Sequence, residues 1–264
     1  MEIRLCSIAS GSSGNCIYVG SENEGFIIDS GVSAKMVLEG LKNIGISTGD
    51  IKGIFVTHEH SDHVKGLGPL ARKLDAPIYA NEETWLAMEG CLGKLKPEQI
   101  KYIRPGEEIG IGGMGIGAYS TSHDAINPMG YFFKKGSKKV AVATDLGFVS
   151  QQVEDGILGA EVVLLESNHD VEMLMVGSYP FFLKKRILSE TGHLSNETAG
   201  EFACRLVEKG TKKILLGHLS RENNFPELAY ETVKAGLFKK GILAGKHIEL
   251  QVAPRCDISK VFYI

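Results

Sequence analysis

His58, His60, Asp62 and His63 fall within six consecutive positions of Thr57-His58-Glu59-His60-Ser61-Asp62-His63. The run follows the apolar, β-branched stretch Ile51–Val56 and precedes a helical pattern. Four polar side chains crowded against a buried strand need a reason to be there. Imidazole and carboxylate are the ligand types that suit zinc, manganese or iron. A strand-to-helix turn lets such residues converge. His58 and His60, two apart, can share one cation, while Asp62 and His63, at the helix start, can point at a second.

The rest of the chain supplies a scaffold for that turn. Its 264 residues are 43% hydrophobic and 23% charged, ordinary values for a globular chain. No linker, low-complexity tract or repeat interrupts it, so residues 1–264 are expected to form one α/β domain. Strands are expected at Arg4–Ala9, Cys16–Val19, Gly25–Ile28, Ile51–Val56, Pro77–Tyr79, Lys101–Ile103, Ile109–Ala118, Tyr131–Phe133, Lys139–Ala143, Glu161–Leu165, Lys213–Leu216 and His247–Val252. Helices are expected at Ser33–Ile44, Val64–Leu74, Asn196–Glu208 behind a Ser195 cap, and Pro226–Lys239.

Composition narrows the function classes. Five cysteines (Cys6, Cys16, Cys91, Cys204, Cys256) are scattered with no CxxC, which argues against a disulfide framework or a thiolate zinc site. No apolar run approaches the roughly 18 residues of a membrane span. Met1 to Cys6 lacks the pattern of a signal peptide. The expected location is a reducing cytoplasm, with no membrane partner. A formal net charge of −3 argues against a protein that coats nucleic acid, but not against an enzyme with a local basic groove. Oligomeric state is not legible.

The His-x-His-x-Asp-His run resembles the first metal motif of the metallo-β-lactamase superfamily, and further motifs follow in that family's order. Asp29 stands where the family has an early strand-end aspartate that supports the site. His123, in Ser122-His123-Asp124, matches its third histidine, Asp145 its metal-bridging carboxylate, and His218 its last ligand. The resemblance implies an αββα sandwich: two mixed sheets face to face with helices outside. It also implies a pair of divalent ions, Zn²⁺ or Mn²⁺ with iron possible, held by His58, His60, Asp62, His63, His123, Asp145 and His218. Asp145 makes independent sense there. Two nearby cations need an anionic bridge, and this carboxylate ends the apolar run Val140–Ala143. Such a pair lowers the pKa of a bridging water to about 7 and neutralises the attacked group, so the expected reaction is hydrolysis, with Asp62 orienting the nucleophile.

Glu166, ending a buried strand, and His193, just before the helix Asn196–Glu208, are similar to the acid and histidine of the superfamily's nuclease branches. A carboxylate beside an imidazole orients it and favours its protonated form, which suits it to stabilise phosphoryl oxygens or protonate a leaving oxygen. The catalytic set is therefore Asp62, His193 and Glu166. More narrowly, four stretches resemble the YycJ/WalJ group of bacterial proteins. They are Ser10-Gly11-Ser12-Ser13-Gly14-Asn15-Cys16, Leu165-Glu166-Ser167-Asn168-His169-Asp170, Gly192-His193-Leu194-Ser195-Asn196 and Gly217-His218-Leu219-Ser220-Arg221-Glu222-Asn223-Asn224. That resemblance implies a DNA exonuclease working from a 5′ end, without the large inserted domain of the β-CASP enzymes.

Nucleic acid would then be gripped by loops. Lys184, Lys185 and Arg186 follow Tyr179-Pro180-Phe181-Phe182, a pairing of aromatic and basic residues that suits stacking and phosphate contacts, or equally an ordinary amphipathic helix. The Gly11–Asn15 turn, with Ser12 and Asn15, can offer backbone N–H groups to phosphate. Asn168 and Asn223 complete the expected substrate contacts. Two other readings stay open. One is hydrolysis of a thioester or a small cyclic phosphodiester on the same metals; a thioesterase does not need Glu166 and His193. The other is a metal-bound scaffold that regulates a partner and catalyses nothing.

Overall fold

The computed structural model describes residues 2–264. Among these described residues, fourteen strands form two sheets of seven. The first holds β1 (Arg4–Ala9), β2 (Cys16–Gly20), β3 (Gly25–Ile28), β4 (Ile51–Phe55), β5 (Ile78–Ala80), β6 (Ile100–Tyr102) and β14 (Phe262–Tyr263), in the order β14-β1-β2-β3-β4-β5-β6. The second holds β7 (Glu108–Ile111), β8 (Met114–Ser120), β9 (Met129–Lys135), β10 (Lys138–Ala143), β11 (Val162–Glu166), β12 (Lys213–Gly217) and β13 (Glu249–Val252), in the order β13-β12-β11-β10-β9-β8-β7. Both are mixed. The pairs β3–β4, β4–β5 and β5–β6 are parallel, as are β10–β11, β11–β12 and β12–β13.

The central strands are apolar on both faces because both faces are covered. Val140 and Val142 of β10, with Val162 and Leu164 of β11, join Phe26, Ile28 and Phe55 in the layer between the sheets. Their neighbours Ala141, Ala143, Val163 and Leu165 face outward, under α5 (Gln151–Ile157), α8 (Asn196–Glu208) and α9 (Pro226–Lys239). A third cluster packs the outer face of the first sheet beneath α1 (Ala34–Asn43) and α3 (Leu67–Leu74). The arrangement is the expected αββα sandwich. The Tyr131 hydroxyl donates to the Val56 carbonyl at 2.7 Å, joining the sheets near the histidine-rich turn. No helix among the described residues is long and apolar enough to cross a membrane.

Two expected elements divide. The helix expected at Val64–Leu74 is α2 (Ser61–Val64) followed by α3. The Asp62 carbonyl, which would continue α2, accepts from Asn15 N at 2.8 Å, and Gly66 N donates instead to Ser30 O at 2.7 Å. The strand expected at Ile109–Ala118 is the hairpin β7–β8, turned at Gly112-Gly113 with Gly112 at φ 58°. Short helices at α4 (Glu82–Ala87), α6 (Val171–Val176) and α7 (Phe181–Ile187) carry too few turns to show a clear period in sequence.

Candidate metal centre

The polar residues that end β3, β10, β11 and β12, together with those that follow β4, converge at one edge of the two sheets. Three of them, Asp29, Asp145 and His218, have left-handed backbones at φ 59°, 58° and 56°. Left-handed geometry is costly for residues with a Cβ and is kept only where the surroundings enforce it.

Four of the imidazoles are held from behind. His63 Nδ1 is 2.7 Å from Asp29 Oδ2, His58 Nδ1 is 3.0 Å from Thr57 Oγ1, and His123 Nδ1 is 3.1 Å from the Gly192 carbonyl. His218 Nδ1 is 2.9 Å from Glu166 Oε1. The opposite nitrogens therefore face a common centre. Thr57 N also donates to Asp29 Oδ1 at 2.8 Å, which ties β3 to β4 behind the site. Backing of this kind fixes tautomer and ring orientation in metal sites.

The inward atoms form interlocking groups of donors lying within 4.8 Å of one another: His58, His60 and His123; Asp62, His63 and His218; His58, His63 and Asp145. Asp145 stands between the two triads. Its Oδ1 is 3.7 Å from His123 Nε2 and 3.5 Å from His218 Nε2, and its Oδ2 is 3.4 Å from His63 Nε2. The fit to divalent cations rests on satisfaction. His58 Nε2, His218 Nε2 and Asp145 Oδ2 are enclosed yet have no hydrogen-bond partner. Native proteins rarely bury polar atoms unpaired, and these three point at one another's neighbourhood. His and Asp donors in two triads with a shared carboxylate suit a pair of divalent ions.

Electrostatics agree with that geometry. Burial works against the charge of Asp145, but His218, His63 and His123 outweigh it and hold the carboxyl below the usual range. For Asp62, burial is likewise overcome, by the approach of His218, whose Nε2 lies 3.7 Å from Asp62 Oδ2, and by the charge of His63. Burial and the neighbouring rings push His58 well below the ordinary histidine value, leaving a neutral ligand.

Glu166 is fully buried, and its Oε1 serves both His218 and His193 Nδ1, the latter at 2.8 Å. Its Oε2 accepts from Leu146 N at 2.7 Å and Leu194 N at 3.3 Å. Burial opposes ionisation, but His193 and His218 hold the carboxyl well below the usual range. His193 lies 3.9 Å from Asp145 Oδ1 and retains some exposure, as does Asp62, so these two edge the open side of the centre.

The expected substrate contacts separate. Asn15 is at the centre: its Nδ2 lies 3.1 Å from His63 Nε2 and its Oδ1 accepts from Gly11 N. Ser12 is exposed at the tip of that turn. Asn168 faces inward, donating to the His218 carbonyl at 2.9 Å, and Asn223 is buried. Lys185 is exposed. Lys184 and Arg186 do not stand free. Lys184 Nζ donates to the carbonyls of Met175 and Gly177, both at 2.7 Å, capping the end of α6. Arg186 makes a two-pronged pair with Asp124, whose Oδ1 is 3.4 Å from His123 Nε2. Arg186 thus fastens α7 to the His123 loop. Thr57 and the Gly192 carbonyl were not singled out as supports by sequence reading. A hydroxyl or carbonyl in that role carries no signal apart from its neighbours.

Residues 9–218 match the family model of the metallo-β-lactamase superfamily. The chain is 41% identical to exodeoxyribonuclease YycJ of Bacillus anthracis over 264 residues, all of both chains. It is 44% identical to exodeoxyribonuclease WalJ of Streptococcus pneumoniae over 228 residues, 86% of this chain and 85% of the relative. Among solved structures, the metallo-β-lactamase fold protein YhfI of Bacillus subtilis superposes with a TM-score of 0.72 at 16% identity, covering all of both chains, a likeness of fold. The sandwich, the converging His/Asp edge and the match over most of the chain give one conclusion: the protein belongs to the metallo-β-lactamase superfamily, within the group of the YycJ and WalJ proteins.

Proposed function

We propose that this protein is a divalent-metal-dependent phosphodiesterase that digests DNA, an exonuclease working from a 5′ end. The observation that carries the reading is the Glu166–His193 pair, set 3.9 Å from Asp145 on the open side of the centre. A hydrolase of thioesters has no need of it. The names of the YycJ and WalJ relatives support a DNA substrate.

In this reading His58, His60 and His123 would hold one cation and Asp62, His63 and His218 the other, with Asp145 shared between the two groups. Bound Zn²⁺ or Mn²⁺ would supply hydroxide near neutral pH and neutralise charge on the phosphate. Asp62, ionised and partly open, would orient the attacking oxygen. Glu166 accepts from His193 Nδ1, so the ring presents Nε2 to the substrate, where it donates a proton to the departing oxygen. We read residues 1–264 as one domain, because both sheets share one apolar layer. Five free cysteines suit a reducing cytoplasm.

The test is digestion of end-labelled duplex DNA and RNA with each metal, using Asp62→Ala and His193→Ala in parallel. Asp62→Ala should abolish turnover. His193→Ala should slow phosphodiester cleavage about 100-fold or more while metal content stays at the wild-type value. Turnover of a glutathione thioester but not of DNA would overturn the reading, as would metal loss in the His193 variant.

A further inference from the structure

The strands β10, β11, β12 and β13 run parallel, so their carboxyl ends open on one edge, where ligands of α/β sheets bind. The first three deliver Asp145, Glu166 and His218 to that edge. The fourth, β13, is followed by Ala253, whose N donates to Leu216 O at 2.7 Å, then by Pro254 and Arg255. The Arg255 carbonyl is tied to Ser10 N at 3.3 Å, which sets its side chain against the Gly11–Asn15 turn. A methyl group added to Gly11 would lie 3.0 Å from Arg255 Nη1 and 3.2 Å from the Leu219 carbonyl, so the guanidinium packs directly against this turn. Arg255 Nη1 is enclosed and has no hydrogen-bond partner. No hydrogen bond or ion pair among the described residues engages the rest of this half-buried guanidinium, and its more open nitrogens, not the enclosed Nη1, are left to meet an oxyanion.

The turn beside it is shaped for the same ligand. Gly11 and Gly14 have φ of 140° and 155°, and Gly14 N closes on Gly11 O at 2.9 Å. Ser12 and Ser13 stand exposed at the tip, and no hydrogen bond within the described residues takes either backbone N–H. Successive free N–H groups of this kind bind anions. The turn is joined to the metal centre through Asn15, which holds Gly11 N with one amide atom and approaches His63 Nε2 with the other.

We propose that Arg255 and the N–H groups of Ser12 and Ser13 form a second phosphate subsite, which holds a phosphate of the same strand next to the one at the metal centre. Arg255 thereby fills the role that sequence reading gave to Lys184 and Arg186, whose charges are already engaged. This proposal rests on the phosphodiesterase reading, and its ligand class is any chain of two or more phosphates.

The test measures inhibition of bis-p-nitrophenyl phosphate hydrolysis by a phosphorothioate-linked tetrathymidylate. It uses the metal-loaded full chain and its Arg255→Gln and Arg255→Lys variants. The substrate presents one phosphate and the inhibitor several. In Arg255→Gln the Ki should rise about tenfold more than the KM for the one-phosphate substrate. The slope of log Ki against log salt should also fall by about one in magnitude. Arg255→Lys should recover part of the affinity. Equal rises in Ki and KM, no rise in Ki, or the same rise in both variants with matching loss of Tm would each overturn the subsite. Absence of inhibition in the wild type would do so too. A wild type that is inhibited in this way yet leaves duplex DNA intact would sink the nuclease reading and leave the subsite standing.

Discussion

Asp29 Oδ2 and His63 Nδ1 stand 2.7 Å apart with both side chains closed to solvent. Burial disfavours the protonated ring, but Asp145 and Asp29 outweigh it and raise the His63 pKa to about 9 in the protein without metal. Asp29 thus fixes which nitrogen faces the centre. Asp29→Asn keeps the left-handed backbone accessible but removes the carboxylate. Metal affinity should fall about 10–100-fold, as for other backing carboxylates. Titration against a competing chelator checks this. An unchanged affinity would leave Asp29 as a β3–β4 tie only.

Chelation should lower stability as well as activity. Asp145, His58 and His218 carry enclosed atoms whose satisfaction depends on a cation. Binding at a thousandfold excess over Kd contributes about 4 kcal/mol to the folded state. Calorimetry with and without EDTA should show a lower Tm in the stripped protein, restored on addition of Zn²⁺ or Mn²⁺. Asp145→Ala should show neither the metal-dependent rise nor turnover.

Gly31 is a steric key to the site. A Cβ there would lie 1.7 Å from the Asp62 carbonyl, the acceptor for Asn15 N. Gly31→Ala must displace the α2 turn that carries Asp62 and His63. We expect a loss of about 1–3 kcal/mol in stability and at least about a tenfold fall in activity, the order a misplaced catalytic group produces. Gly110→Ala, where nothing lies within 4 Å, is the control, with a change inside about 0.5 kcal/mol. Equal behaviour of the two variants would contradict the packing argument.

His169 sets an acid limit. It is buried with neither ring nitrogen bonded, and burial lowers its pKa to about 4 despite the nearby Glu166. The unfolded chain therefore binds a proton that the folded chain refuses between about pH 6.5 and 4. Stability is complete above the unfolded value and declines as pH falls through that window, by about 1.4 kcal/mol for each pH step of one. Denaturant melts of wild type and His169→Asn from pH 7 to 4 should converge as pH falls. Parallel curves would show that His169 does not titrate in this way.

What a strand and the residues just after it can be is a local matter, and the sequence determined it alone. Ile51–Val56 ahead of His58–His63, Val140–Ala143 ahead of Asp145 and Leu215-Leu216-Gly217 ahead of His218 mark buried strands with polar ends, because apolar β-branched runs are stable only inside. Which ends meet was decided by the tertiary structure, through the parallel register of β10, β11 and β12 and the left-handed turns after β3, β10 and β12. The same holds for the basic residues. For Lys184 and Arg186 the sequence left substrate contact and an ordinary helix face open, because the α6 carbonyls and the Asp124 carboxylate that engage them are invisible at their own positions. Arg255 went unnoticed because its meaning depends on Gly11, far away in the chain. Side-chain chemistry is written residue by residue, but its use depends on distances that only the packed sheets define.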